Sequence, residues 1–303
     1  MNATEAKSVV DQGVNQMLED PEQWRQWATT FAKFHRYSPG NVLLIMSQMP
    51  DASQVAGYHA WQSLGRQVQA GEHGITILAP VIKRYQREEE QVAGESPKPA
   101  PSGLVGFRAA TVFDISQTQG RALALPTPQL LNGADLVDLL GSLTVVVGVP
   151  VVMAESSTLG GANGVWSPRQ GTITIASDRS PDQQAKTLLH EWAHATGIPD
   201  PAAAMDRHVG SEEIIAETSA FILAQRMGLD TSQYTIPYVG HWAQGDPQKV
   251  LALTQSVSQR VQAMSTTLEQ HAEQDPVLAT ALGLPTPQKT QILEHQDQEY
   301  EAG

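Results

Sequence analysis

The run LLHEWAHATGIPD, residues 188–200, sets His190 and His194 four positions apart with Glu191 beside the first. On a helix, positions four apart share a face, so the two imidazoles would aim at one point. Glu191 is turned about one step away and would reach a water near that point without becoming a ligand. A divalent cation such as zinc, held by imidazole nitrogens, lowers the pKa of a bound water. A neighbouring carboxylate then takes the proton as the water attacks a carbonyl. The chemistry these residues could do is metal-assisted hydrolysis, with Glu191 as general base. Zn2+ is the first expectation; Mn2+ and Fe2+ stand beside it, because sets of two histidines and a carboxylate accept several metals.

Two histidines do not close such a site, so a third ligand has to come from elsewhere. The segment SEEIIAETSAFILAQRMG carries Glu213 and Glu217 four apart on one prospective helix face. Glu213 is expected to bind the metal, and Glu217 to hydrogen-bond a ligand histidine and fix its tautomer, the layout of a gluzincin. Asp200 is the alternative, since HEWAHATGIPD also fits HExxHxxGxxD; its place between Pro199 and Pro201 reads as a turn. Glu212 lies one position off the Glu217 face and is expected at the solvent-facing start of the helix, where an acid is favourable. His208 reads as an exposed loop histidine. Tyr234, Tyr238 and His241 follow the helix and are candidate donors to an oxyanion, though each could equally be packed beneath the site.

Stepping outward, the elements that would hold these groups are legible as periodicity. Ser180-Pro181-Asp182-Gln183 is a helix start, with Ser as N-cap, Pro at the first position and Gln available for a capping box. That helix stops near Gly197. The next two are expected over 211–227 and 246–270. Upstream lie a helix over 133–142 and strands VPVVMAE, VWSP and GTITIAS, the last expected as an edge strand along which a substrate backbone could add. In the first half, apolar spacing predicts one helix over 4–37, a second over VLLIMSQM after Ser38-Pro39, and two strands, ITILAPVIKRY and LVGFRAATVFDIS, forming a long-looped hairpin. The loop, 86–103, is charged and then rich in Pro, Ser and Gly, and reads as a flexible insertion. The expected organisation is α+β in two domains, 1–127 and 128–270, followed by an acidic, loosely ordered tail over 271–303.

The 303 residues include no cysteine, which excludes disulfides and thiolate ligands and leaves any metal to His, Asp and Glu. No apolar run is long enough to span a bilayer and the first residues do not read as a signal peptide, so the expectation is a cytoplasmic protein without a membrane partner. Net charge is −13, which argues against bulk nucleic-acid binding. The charge is uneven, however. Residues 1–127 carry 11 Lys/Arg and 12 Asp/Glu, and residues 31–87 carry 6 cations against 2 acids. A polyanion partner therefore fits the first part only. There, Lys33, Arg36, Tyr37, Asn41, Arg66, Lys83 and Arg84 are candidate DNA contacts, because cations hold phosphates and aromatic faces stack on exposed bases. Trp24, Trp27 and Trp61 fit a core. Gln117 and Thr118 could extend the contact surface.

HEWAHATG followed by SEEIIAETSAFILAQRMGL resembles the metallopeptidase domain of ArdC-type antirestriction proteins. YSPGNVLLIMSQMPDASQVAGYHAWQSLGRQVQAGEHGITILAP with FRAATVFDISQTQG resembles that family's N-terminal domain. The resemblance spans about 24–245 in the same order. It implies an N-terminal domain that binds single-stranded DNA, a zincin-like second domain acting on a protein or peptide substrate, and a role in protecting incoming DNA from restriction. The strongly acidic second half and the 86–103 insertion depart from the usual pattern.

Overall fold

The computed structural model describes residues 1–84, 102–123, 133–197, 209–232 and 239–287. Helix α1 (Ala3–Glu19) ends at Asp20, whose carboxylate accepts the Glu22 N–H and so caps α2 (Pro21–Phe34). The single helix expected over 4–37 is thus two. A proline inside a continuous helix lacks the N–H and meets the carbonyl four residues back, whereas at a first position it loses nothing. Trp24, Trp27, Phe31 and Phe34 recur at three- and four-residue spacing and are all buried. Ser38 then caps α3 (Pro39–Gln48).

The short strand β1 (Val55–Ala56), helix α4 (Tyr58–Ser63) and strand β2 (Arg66–Val68) lead to β3 (Ile75–Arg84), which pairs antiparallel with β4 (Ser102–Asp114). The pairing runs from Ile75 opposite Val112 to Arg84 opposite Ser102, with an irregularity at Val81/Ile82. This is the expected hairpin. Residues 102 and 103 of the supposed insertion already belong to β4; the rest of that segment lies outside the described residues. β1 joins the free side of β4, and β2 pairs with β5 (Thr118–Gly120).

After α5 (Ala134–Val146) come β6 (Val151–Ala154), β7 (Gly164–Ser167) and β8 (Thr172–Ala176), in the sheet order β6–β8–β7. β8 is parallel to β6 and antiparallel to β7. GTITIAS is therefore the central strand, not an edge. Both its ladders are occupied, and Ile173, Ile175 and Ala176 are buried. No substrate strand can add there; the sheet edges are β6 and β7.

Helix α6 (Pro181–Gly197) opens as expected, with Ser180 Oγ accepting the Gln183 N–H at 3.3 Å. It packs on α7 (Val209–Arg226). α8 (Val239–Ala243) precedes α9 (Pro247–Ala272), a long helix capped by Asp246. The chain from 271, expected as a loosely ordered tail, instead completes α9 and forms α10 (Pro276–Ala281), which buries Leu278, Ala279 and Ala281. Beyond 287 the residues lie outside the described set.

The expected division near 122–132 falls largely on residues outside the described set, and the halves on either side share one apolar core. α2 packs on α7, and α1 on α8 and α9. The Trp24 indole N–H donates to Thr218 Oγ1 at 3.1 Å. Arg25 donates to the Thr231 carbonyl and lies over the Phe221 ring.

Candidate metal centre

α6 turns Leu188, Leu189, Trp192 and Ala193 into the core, and this fixes the rotation of the remaining face. That face carries His190 and His194, whose rings meet edge to face with Nε2 atoms 3.1 Å apart. α7 crosses in front of them. Glu213 places Oε1 3.3 Å from His190 Nε2 and Oε2 3.5 Å from His194 Nε2. One ligand atom from each of the three residues lies within 4.8 Å of the others. Ligand atoms about 2.05 Å from a tetrahedral cation stand about 3.3 Å apart, so these separations suit a cation at the centre.

Each histidine has a carboxylate behind it. Glu217 Oε2 is 2.8 Å from His190 Nδ1; accepting that N–H leaves Nε2 to face the cluster. Glu212 Oε1 lies 3.7 Å from His194 Nδ1. Glu212 is not the solvent-facing acid its position suggests: it is buried and ion-paired with Arg260 of α9, itself buried. Gly197 makes room for that pair, since a Cβ there would run into the Arg260 guanidinium. Sequence reasoning missed this support because Glu212 and Arg260 are 48 residues apart, with no local pattern between them.

The electrostatics describe a site that demands positive charge. Burial alone would lower His190, but its hydrogen bonds to Glu213 and Glu217 prevail and raise it to about 10. His194 is likewise raised, against burial, by Glu212 and Glu213. The two imidazoles hold Glu213 well below the usual carboxylate range. Burial would raise Glu212, but hydrogen bonds from His194 and Arg260 bring it down to about 2. Glu191 is the exception: burial pushes it up. Its Oε2 accepts the Trp166 N–H of β7 at 2.7 Å. β7 comes this close because residue 164 is glycine, where a Cβ would press on Thr187 and Glu191. His190, Glu191 and Glu217 open onto a cleft of about 510 Å3, walled also by Asn163, Gly164 and Lys186.

The structure thus brings His190, Glu191, His194, Glu213 and Glu217 together. Asp200, His208, Tyr234 and Tyr238 lie outside the described residues. His241 is exposed on α8 and does not line the cleft. Of the candidate DNA contacts, Lys33, Arg36 and Lys83 are exposed; nothing is described for the Arg84 side chain. Three others serve the fold instead. Asn41 is buried and clamps α3 to β3 through both the N–H and the carbonyl of Leu78. Arg66 donates to Thr118 and to the Arg121 carbonyl. Tyr37 donates its hydroxyl to the Val55 carbonyl, and burial raises its pKa. Gln117 and Thr118 are buried too. For Asn41, Arg66, Tyr37 and Gln117 a long-range backbone carbonyl takes the polar group, and the Thr118 hydroxyl donates to the nearby Ile115 carbonyl.

Residues 4–113 match the family model for the N-terminal domain of the anti-restriction factor ArdC. An uncharacterised protein of Bacillus anthracis is 25% identical over 274 residues; that alignment covers 78% of this chain and 46% of the relative, so the chain spans about half the relative's length. Among solved structures, the metal-free antirestriction protein ArdC from the R388 plasmid superposes with a TM-score of 0.51 at 21% identity, over 76% of this chain and 85% of that one. Its Mn(II)-bound form gives 0.52 at 18%, over 86% and 97%. The chain thus resembles ArdC in its N-terminal domain, by the family match over residues 4–113, and shares its fold over three-quarters or more of its own length.

Proposed function

We propose that the chain is an antirestriction-type protein that binds single-stranded DNA through its first half and hydrolyses peptide bonds at the α6–α7 site. The observation that carries the enzymatic part is the convergence of His190, His194 and Glu213 to ligand spacing, with a buried carboxylate, Glu191, beside them at the wall of a cleft. His190, His194 and Glu213 would hold a divalent cation: zinc by the chemistry of the donor set, manganese by analogy with the Mn(II)-bound relative. When bound, it supplies Lewis acidity.

The chain's own residues do the rest. Glu217 and Glu212 hold the imidazole rings in orientation. Glu191, with one oxygen anchored by the Trp166 N–H, takes a proton from a water in the cleft with the other, and later returns it to the leaving amine. Its pKa, raised by burial, suits a base that must also act as an acid. DNA binding is supported by the N-terminal family match and by the exposed cations Lys33, Arg36 and Lys83.

Glu191→Gln tests the enzymatic reading. It keeps size and polarity but removes the base, so casein hydrolysis should fall by at least about a hundredfold, with metal content unchanged. If the variant retains wild-type protection of incoming DNA, hydrolysis is not what the protein is for, and protection works by occupancy of the DNA.

A further inference from the structure

A second cleft, of about 660 Å3, opens where the two halves of the chain meet. The end of α2 gives it Lys33, the turn that follows gives Arg36, the turn after α3 gives Gln54, and the end of α7 gives Gln225 and Arg226. Leu229, Leu282 and Leu284 form an apolar wall. Among the described residues its charge is opposite to that of the chain as a whole: three cations, Lys33, Arg36 and Arg226, face one carboxylate, Glu269. Glu269 is fully committed, with Arg226 on one oxygen at 2.9 Å and Arg36 on the other at 3.0 Å.

Part of this cluster is a staple between α2, α7 and α9. Arg226 is nearly buried and also donates to Ser265, so its charge is spent on structure. A staple does not account for the other two cations. Arg36 is 77% exposed and gives Glu269 one nitrogen of its guanidinium. Lys33 is exposed, and among the described residues no carboxylate other than Glu269 lines the cleft. His35, 3.5 Å from Glu269, is held neutral, down to about 4, first by burial and then by Arg226, so it neither adds to the charge nor relieves it. In a chain of net charge −13, such an excess of cations beside an apolar wall calls for an anion with an apolar part. Its volume is within the range of pockets that enclose a small organic ligand.

We propose that this cleft binds a nucleoside monophosphate unit, with its phosphate on Lys33 and Arg36 and its base against the leucine wall. Leucines offer apolar contact to any base, and the side-chain amides of Gln54 and Gln225 can each donate or accept, so the cleft does not select one base. The unit can be a free nucleotide or one residue of a single strand. The second form rests on the single-stranded-DNA reading above.

The test uses the full chain and two probes: dTMP by calorimetry, and a labelled oligo-dT by fluorescence anisotropy over a salt series. Lys33→Glu should weaken whichever probe binds by at least about tenfold, and should lower the oligonucleotide salt slope by about 0.7, one phosphate contact. Arg36→Ala should act in the same direction. Lys7→Glu, an equal change of charge at an exposed position on α1, should stay within about twofold. Binding of dTMP assigns the free nucleotide, and binding of the oligonucleotide alone assigns the strand. Binding that Lys33→Glu and Lys7→Glu affect equally overturns the cleft and leaves the DNA reading intact. No binding of either probe overturns both.

Discussion

Two imidazoles held 3.1 Å apart by one helix face, with carboxylates on three sides, bind positive charge of some kind. Without a metal that charge is a proton, and His190 keeps it up to about pH 10 because Glu213 and Glu217 outweigh its burial. Its pKa is higher in the folded than in the unfolded chain. The stabilisation is therefore complete below pH 6.5 and is lost as pH rises through about 10. The Tm of the metal-stripped protein should accordingly fall across that window, and metal loading at pH 8 should release at least about one proton per chain. Calorimetry in buffers of different ionisation enthalpy measures the release; loading without it would contradict a metal bound through His190. His190 and His194 were legible in the sequence because helical spacing sets them on one face, with Glu191 one step round from them. Glu212, Asn41 and Arg66 were misread because their partners are distant: Glu212 meets Arg260 on another helix, and the other two are satisfied by backbone groups that no local pattern announces.

At the scale of elements, the site depends on how α6, α7 and α9 meet. The Arg260–Glu212 pair joins α9 to α7 directly behind His194, in a space that exists because Gly197 has no side chain. Arg260→Ala would strand a buried carboxylate, and should destabilise the fold by about 3–5 kcal/mol in denaturant titration. A loss under about 1 kcal/mol would mean that Glu212 relaxes into solvent and does not support His194. The helix starts at Ser38 and Ser180 were readable from their caps, and those at Pro21 and Pro247 were readable in principle from the same chemistry. The place of GTITIAS in its sheet was not. Its alternating side chains specify a strand with one buried face, and they are silent on how many neighbours its backbone ladder has.

Over the whole molecule, the α+β class and the order of elements follow from the sequence, whereas the sharing of one core by both halves does not. The tryptophans of α2 were recognisable as core by spacing, but not that the core they enter includes α7 of the other half. That sharing sets the cationic cleft at the junction and the candidate metal centre around one apolar core, so a strand bound at one and a peptide cut at the other, as proposed, would be held by the same packed helices. The proposed metal centre depends on Glu213 completing it from α7. Metal content of the purified chain beside Glu213→Ala tests this most directly. The result predicted is about one divalent cation per chain in the wild type and none retained in the variant after dialysis. A variant that keeps its full complement, or a wild type that binds none when loaded, would contradict a centre built from His190, His194 and Glu213.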